Sequence, residues 1–91
     1  MAKVTLSGYI IVPEHELEKI QHALVTHITL TREEPGCIKF IVVQDDSHMH
    51  RFNVYEEFES EDAFDAHQDR VKNSDWGKIA RNVERHYTIE K

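Results

Sequence analysis

From residue 3 to residue 12 the chain alternates. Val4, Leu6, Gly8, Ile10 and Val12 fall on one side, and Thr5, Ser7, Tyr9 and Ile11 on the other. A period of two, rich in β-branched and aromatic residues, predicts a strand. Gly8 in mid-strand reads either as a tight packing contact or as a bulge beside a ligand or neighbouring backbone. Pro13 ends the strand and suits the first turn of a helix, where its missing N–H costs nothing. Leu17, Ile20, Leu24, Ile28 and Thr31 then recur at helical spacing and define one apolar stripe. His27 borders that stripe and reads as a boundary residue. Pro35-Gly36 stops the helix and turns the chain.

The next segment, residues 37 to 44, is apolar on both faces: Ile38, Phe40 and Val42 against Ile41 and Val43. Such a strand needs cover on both sides. Helices supply one cover, and a second subunit is the expected source of the other. Asp45 to His50 forms a polar connection of hairpin length, in which His48 and His50, with no third ligand nearby, read as solvated loop residues. A third strand runs from Arg51 to Phe58. Ser60 follows as an N-cap, with Glu61 and Asp62 in the first turn. Ala63, Phe64 and His67 share one helical face, and the pattern weakens between Asp69 and Lys72. Asn73 or Ser74 caps a further helix whose stripe is Trp76, Ile79, Ala80 and Val83, with Gly77 allowing close packing. Glu84 to Glu90 forms the last strand. The order β-α-β-β-α-β predicts an α+β fold of ferredoxin-like type, a four-stranded antiparallel sheet with helices on one face.

Composition narrows the function. The 91 residues make one domain, residues 1–91, with a formal net charge of -6 and no basic stripe, so no nucleic-acid partner is expected. No apolar run approaches the ~20 residues of a spanning helix, and Met1-Ala2-Lys3 leads straight into strand pattern, so no signal peptide is expected. The single cysteine, Cys37, reads as a small apolar residue. These features point to a soluble cytoplasmic protein without a membrane partner. No CxxC, Ser/His/Asp set, metal-ligating cluster or phosphate-cradling glycine loop is present.

One position breaks the pattern. Glu56 alternates with Phe52, Val54 and Phe58, which turns a carboxylate toward the apolar side of its strand. A buried carboxylate is costly without a partner, and His67, eleven residues on, is the candidate. The pair is open to two readings, a hydrogen-bonded structural tie between helix and sheet or an acid–base couple.

Pro35-Gly36-Cys37, Phe40, Gln44-Asp45, Arg51-Phe52, Val54-Tyr55-Glu56, Phe58-Glu59-Ser60, Ala63 and His67 together resemble the antibiotic biosynthesis monooxygenase domain, a family that includes quinol monooxygenases. The resemblance implies a homodimer, with two sheets packed face to face in a dimeric α+β barrel. It also implies a pocket between sheet and helices in each subunit. Carried over, that pocket is lined by Val54, Glu56, Phe58, Phe64 and His67, and the apolar stripe adds Trp76. His67 and Glu56 are then the catalytic candidates; Val54, Phe58, Phe64 and Trp76 are candidates for holding a flat, quinol-like or polyphenolic ring. No cofactor or metal is expected. The Asn–Trp–His set of haem-degrading members is not matched, and the residues Val54, Phe58 and Phe64 are more apolar than their counterparts in members that oxygenate aromatic polyketides. The expected activity is a cofactor-independent monooxygenase. An isomerase or signal-molecule-degrading enzyme on the same scaffold, and a non-enzymatic small-molecule-binding dimer, are the alternatives.

Overall fold

The computed structural model describes residues 3–91, so the lead-in Met1-Ala2 lies outside the described residues. Strand β1 (Val4–Ile11) leads through one 3-10 turn (Glu14–Glu16) into helix α1 (Leu17–Arg32). Strands β2 (Cys37–Gln44) and β3 (Arg51–Phe58) form a hairpin, helices α2 (Glu61–Lys72) and α3 (Asp75–Ile79) follow, and β4 (Glu84–Glu90) ends the chain. All pairings are antiparallel and the order is β2-β3-β1-β4. The expected βαββαβ arrangement is therefore present.

The inner face of the sheet carries Val4, Leu6, Ile10, Phe52, Val54 and Phe58, all buried, against Ile20 and Leu24 of α1 and Phe64 of α2. Each fully buried side chain of this size contributes roughly 1.5–3 kcal/mol before entropy is counted. Phe58 and Phe64 meet edge to face at 5.7 Å between ring centroids, an arrangement aromatic quadrupoles favour.

Local chemistry sets the element ends. Pro13 sits at the N-cap of the 3-10 turn, and α1 proper starts at Leu17, the first residue of the apolar stripe. Helix α2 does not weaken at Asp69 but runs to Lys72, its start held by Ser60 Oγ accepting from Ala63 N. Ser74 is the cap of α3, its hydroxyl accepting from Gly77 N. A side chain at Gly77 would sit 2.3 Å from the Val71 carbonyl, which explains a glycine there. Helix α3 stops at Ile79, and Ala80 and Val83 reach the core from the turn that follows.

Two departures from simple alternation matter. The β2–β3 register shifts between Cys37 and Lys39, so Ile38 is the extra residue of a bulge and is half exposed instead of sharing the face of Phe40. At Gly8 the backbone has φ +150°, and a Cβ would fall 1.9 Å from the His86 carbonyl oxygen across the β1–β4 pair. Close backbone approach explains that glycine.

The outer sheet face is mixed. Tyr9 stacks on His86 at 4.7 Å, and the Arg51 guanidinium lies 3.8 Å over the Tyr9 ring. Glu57 is buried by Lys3, at 2.9 Å, and by the Tyr55 hydroxyl, which donates to it at 3.0 Å. Ile41 and Val43 on the same side are exposed.

Candidate active site

Strand β3 and helix α2 bring the two catalytic candidates together. Glu56 lies opposite Leu6 and Phe40 in the sheet, on the inner face. His67 is two turns into α2, on the face it shares with Phe64, and both are buried. Glu56 Oε1 and His67 Nε2 are 3.7 Å apart, close for an electrostatic contact but too long for a hydrogen bond. Glu56 Oε1 is buried and has no hydrogen-bond partner among the described residues. The His67 ring packs among other rings: it is 4.9 Å from Phe58 and 5.8 Å from Phe40, and 6.2 Å from the imidazole of His27.

His67 has a second carboxylate that sequence periodicity does not point to. Glu34, in the link between α1 and β2, places Oε1 2.9 Å and Oε2 3.2 Å from His67 Nδ1. Arg70 Nε donates to Glu34 Oε2, and Arg70 Nη2 donates to Thr31 Oγ1 at 2.9 Å. His67 and Arg70 are one turn apart on α2, which presents both to the same carboxylate.

Burial and these neighbours set the charges. Glu56 is pushed up to about 7, first by desolvation and then by the Glu34 carboxylate. Desolvation also holds the His67 imidazole below its ordinary value, against the opposing pull of Glu34. His27 is pushed down to about 3, mainly by burial and then by the neighbouring His67, Arg70 and Arg85. Near neutral pH the site therefore holds two neutral imidazoles beside a carboxyl poised to gain or lose a proton.

His27 belongs to this assembly. It is buried, stacked on Trp76 at 4.8 Å with 11° between ring planes, and edge-on to Phe40 at 5.4 Å. Its Nδ1 is buried without a partner among the described residues. The stripe of α1 places it at a border because the stripe describes the sheet-facing side; the broken second helix, which carries Trp76, closes over it. A cleft of about 230 Å³ opens at this point between α1 and the α2–α3 pair, lined by His27, Arg70, Ser74, Asp75 and Trp76 among others.

Of the six residues read from the sequence, the structure brings Glu56, Phe58, Phe64 and His67 into one buried cluster. Val54, also buried, lies two residues along β3. Trp76 stands apart at the cleft, beyond His27. Sequence reasoning missed Glu34, Arg70 and Phe40 as parts of the cluster. Phe40 was legible as an inner-face residue, whereas Glu34 sits in a turn with no periodicity to betray its direction.

The profile of the antibiotic biosynthesis monooxygenase family matches residues 4–77. The chain belongs to that family. Among solved structures, a candidate antibiotic biosynthesis monooxygenase from Nitrosomonas europaea is 20% identical with a TM-score of 0.79, covering 97% of this chain and 85% of its own. A candidate of the same name from Deinococcus radiodurans is 18% identical with a TM-score of 0.81, covering 99% and 91%. SnoaB, a cofactor-independent oxygenase from Streptomyces nogalater solved as an asparagine-to-alanine variant, is 10% identical with a TM-score of 0.80, covering 100% and 93%. At such identities the structures share the fold. No curated protein sequence matches the chain.

Proposed function

We propose that the protein is a cofactor-independent monooxygenase of quinol-like or polyphenolic small molecules. The observation that supports this most is the inward face of His67: an imidazole nitrogen and a carboxyl oxygen 3.7 Å apart, the oxygen without a partner among the described residues, both buried, with the imidazole against the Phe58 ring. Ground-state oxygen reacts slowly with closed-shell molecules, so without a cofactor the substrate must supply the electrons. Deprotonating a phenol makes it able to do so. His67 takes the phenolic proton and Glu56 stabilises the imidazolium. Excluding water from the apolar walls protects the resulting anion. In net terms a quinol and dioxygen give a hydroxyquinone and water: one oxygen atom enters the ring, the other leaves reduced, and both electron pairs come from the substrate.

The cleft beside Trp76 is the proposed entry, with the ring lying against the indole and Val54, Phe58 and Phe64 forming the wall behind the acid–base pair. A second copy of the chain, packed on the outer sheet face, is the proposed partner. One observation favours a second reading, a non-enzymatic small-molecule-binding domain: Val54, Phe58 and Phe64 are 7%, 0% and 4% exposed and pack as core.

Oxygen uptake by metal-free protein against a quinol panel separates the two. Turnover is expected in wild type, falling by about 10²–10⁴-fold in His67→Ala, the usual worth of a positioned base. Ligand binding without oxygen uptake, or equal uptake by both proteins, leaves the pair a structural tie. Product formation that persists without oxygen indicates an isomerase or another lytic chemistry.

A further inference from the structure

We propose that Glu34, held by Arg70, is a positioning residue that keeps the His67 proton on Nδ1 and so turns a bare Nε2 toward Glu56. The proposal rests on the preceding reading only where it calls Nε2 the base; the proton's place is a separate physical question.

The argument starts from the acceptor. A carboxylate paired with a guanidinium is ionised and has lone pairs only. Both Glu34 oxygens lie within hydrogen-bond distance of His67 Nδ1, and Oε2 also accepts from Arg70 Nε. The nitrogen facing them must carry the hydrogen, because a bare Nδ1 would set lone pair against lone pair. A neutral imidazole has one N–H, so Nε2 is left as the acceptor. On that side Glu56 Oε1, at 3.7 Å, is too far to claim it.

The carboxylate cannot easily turn away. Glu34 follows α1 by two residues, its side chain is 13% exposed, and Arg70 reaches past it to Thr31 Oγ1, which is itself buried. Three segments, α1, the link and α2, thus fix one oxygen pair. The same chain of contacts runs from Arg70, 30% exposed at the cleft, to Glu56 in the interior. The charged and titratable groups facing His67 are Glu56 from β3, Glu34 from the link, His27 from α1 and Arg70 from its own helix. Arg85 and Tyr87 of β4 act one step further out, on His27 and beside Glu56 respectively. Burial and Arg70 oppose a charge on His67, so Glu34 is the group that favours it.

Side-chain ¹⁵N NMR of the histidines in wild type, Glu34→Gln and Glu34→Leu, with circular dichroism as a check on folding, tests this. Wild-type His67 is expected to show Nδ1–H. Glu34→Gln keeps an acceptor but not the charge, so the tautomer should hold while the His67 titration moves to lower pH. Glu34→Leu should shift the proton to Nε2, with kcat falling at least tenfold. Wild-type His67 protonated on Nε2 overturns the proposal, as does an unmoved His67 titration in Glu34→Gln; neither needs the leucine variant to fold. The outcomes are separable from the oxygenase reading. Nδ1–H without oxygen uptake removes the oxygenase and leaves the clamp; Nε2–H with full turnover does the reverse.

Discussion

Glu56 spends part of the molecule's stability at neutral pH. Its carboxyl titrates at about 7 in the folded chain instead of 4.5, so the folded state binds its proton more tightly than the unfolded state. The stabilising contribution is complete below the unfolded value of 4.5 and is lost as pH rises through about 7. The shift corresponds to about 3 kcal/mol, an order-of-magnitude figure. His27 acts in the opposite sense: its neutral form is the folded one, so its contribution is present above 6.5 and lost as pH falls toward 3. The two partly cancel in the wild type. Comparing Glu56→Gln with wild type isolates the first: urea denaturation should show the variant gaining about 2–3 kcal/mol relative to wild type between about pH 5 and about pH 8. An equal difference at both pH values would place Glu56 in contact with water. At this scale the sequence was informative where side chains alternate. Glu56 stood out against Phe52, Val54 and Phe58, and His67 followed from a shared helical face. Glu34 did not, because it lies beside Pro35-Gly36, where chain direction depends on how the turn packs.

Among the elements, strand β1 depends on an absent side chain. Gly8 has φ +150°, and any Cβ there meets the His86 carbonyl. Gly8→Ala should therefore loosen the β1–β4 pairing and destabilise the fold by roughly 1–3 kcal/mol; a thermal midpoint unchanged within error would show that the strands can separate slightly at no cost. The strands and hairpin were legible because period-two patterns are bounded by Pro13, Pro35-Gly36 and the Asp45–His50 connection. The bulge at Ile38 was not, since a run apolar on both faces carries no phase to reveal an inserted residue. Nor was the closing of α3 over His27, which needs the packing of two helices and not the period of one.

For the whole molecule, the feature that bears on assembly is the outer sheet face. Ile41 and Val43 are 40% and 55% exposed beside the Tyr9, His86 and Arg51 stack. An apolar edge of this kind among polar neighbours suits a second copy of the chain, the assembly proposed above. Analytical ultracentrifugation should give a dimer, and Ile41→Glu with Val43→Lys should shift it toward monomer while circular dichroism stays native. A monomeric wild type at micromolar concentration would remove the barrel from the reading. Because Glu56 and His67 sit on the opposite face, their protonation should be unchanged in the separated monomer.

The register that joins β1 to β4 has a consequence for how the chain reaches this state. Thr5 pairs with Glu90 and Ile11 with Glu84, so the sheet is completed by segments from opposite ends of the sequence. The β2–β3 hairpin, by contrast, closes over a short connection. Contacts between distant residues are made slowly, because their loop entropy is lost before they return any energy. The hairpin is thus the natural place for folding to begin and β4 the last strand to dock. In native-state hydrogen exchange β4 should also be the first strand to open, and with it go the cover over Gly8 and the Tyr87 side chain whose hydroxyl feels the Glu56 charge.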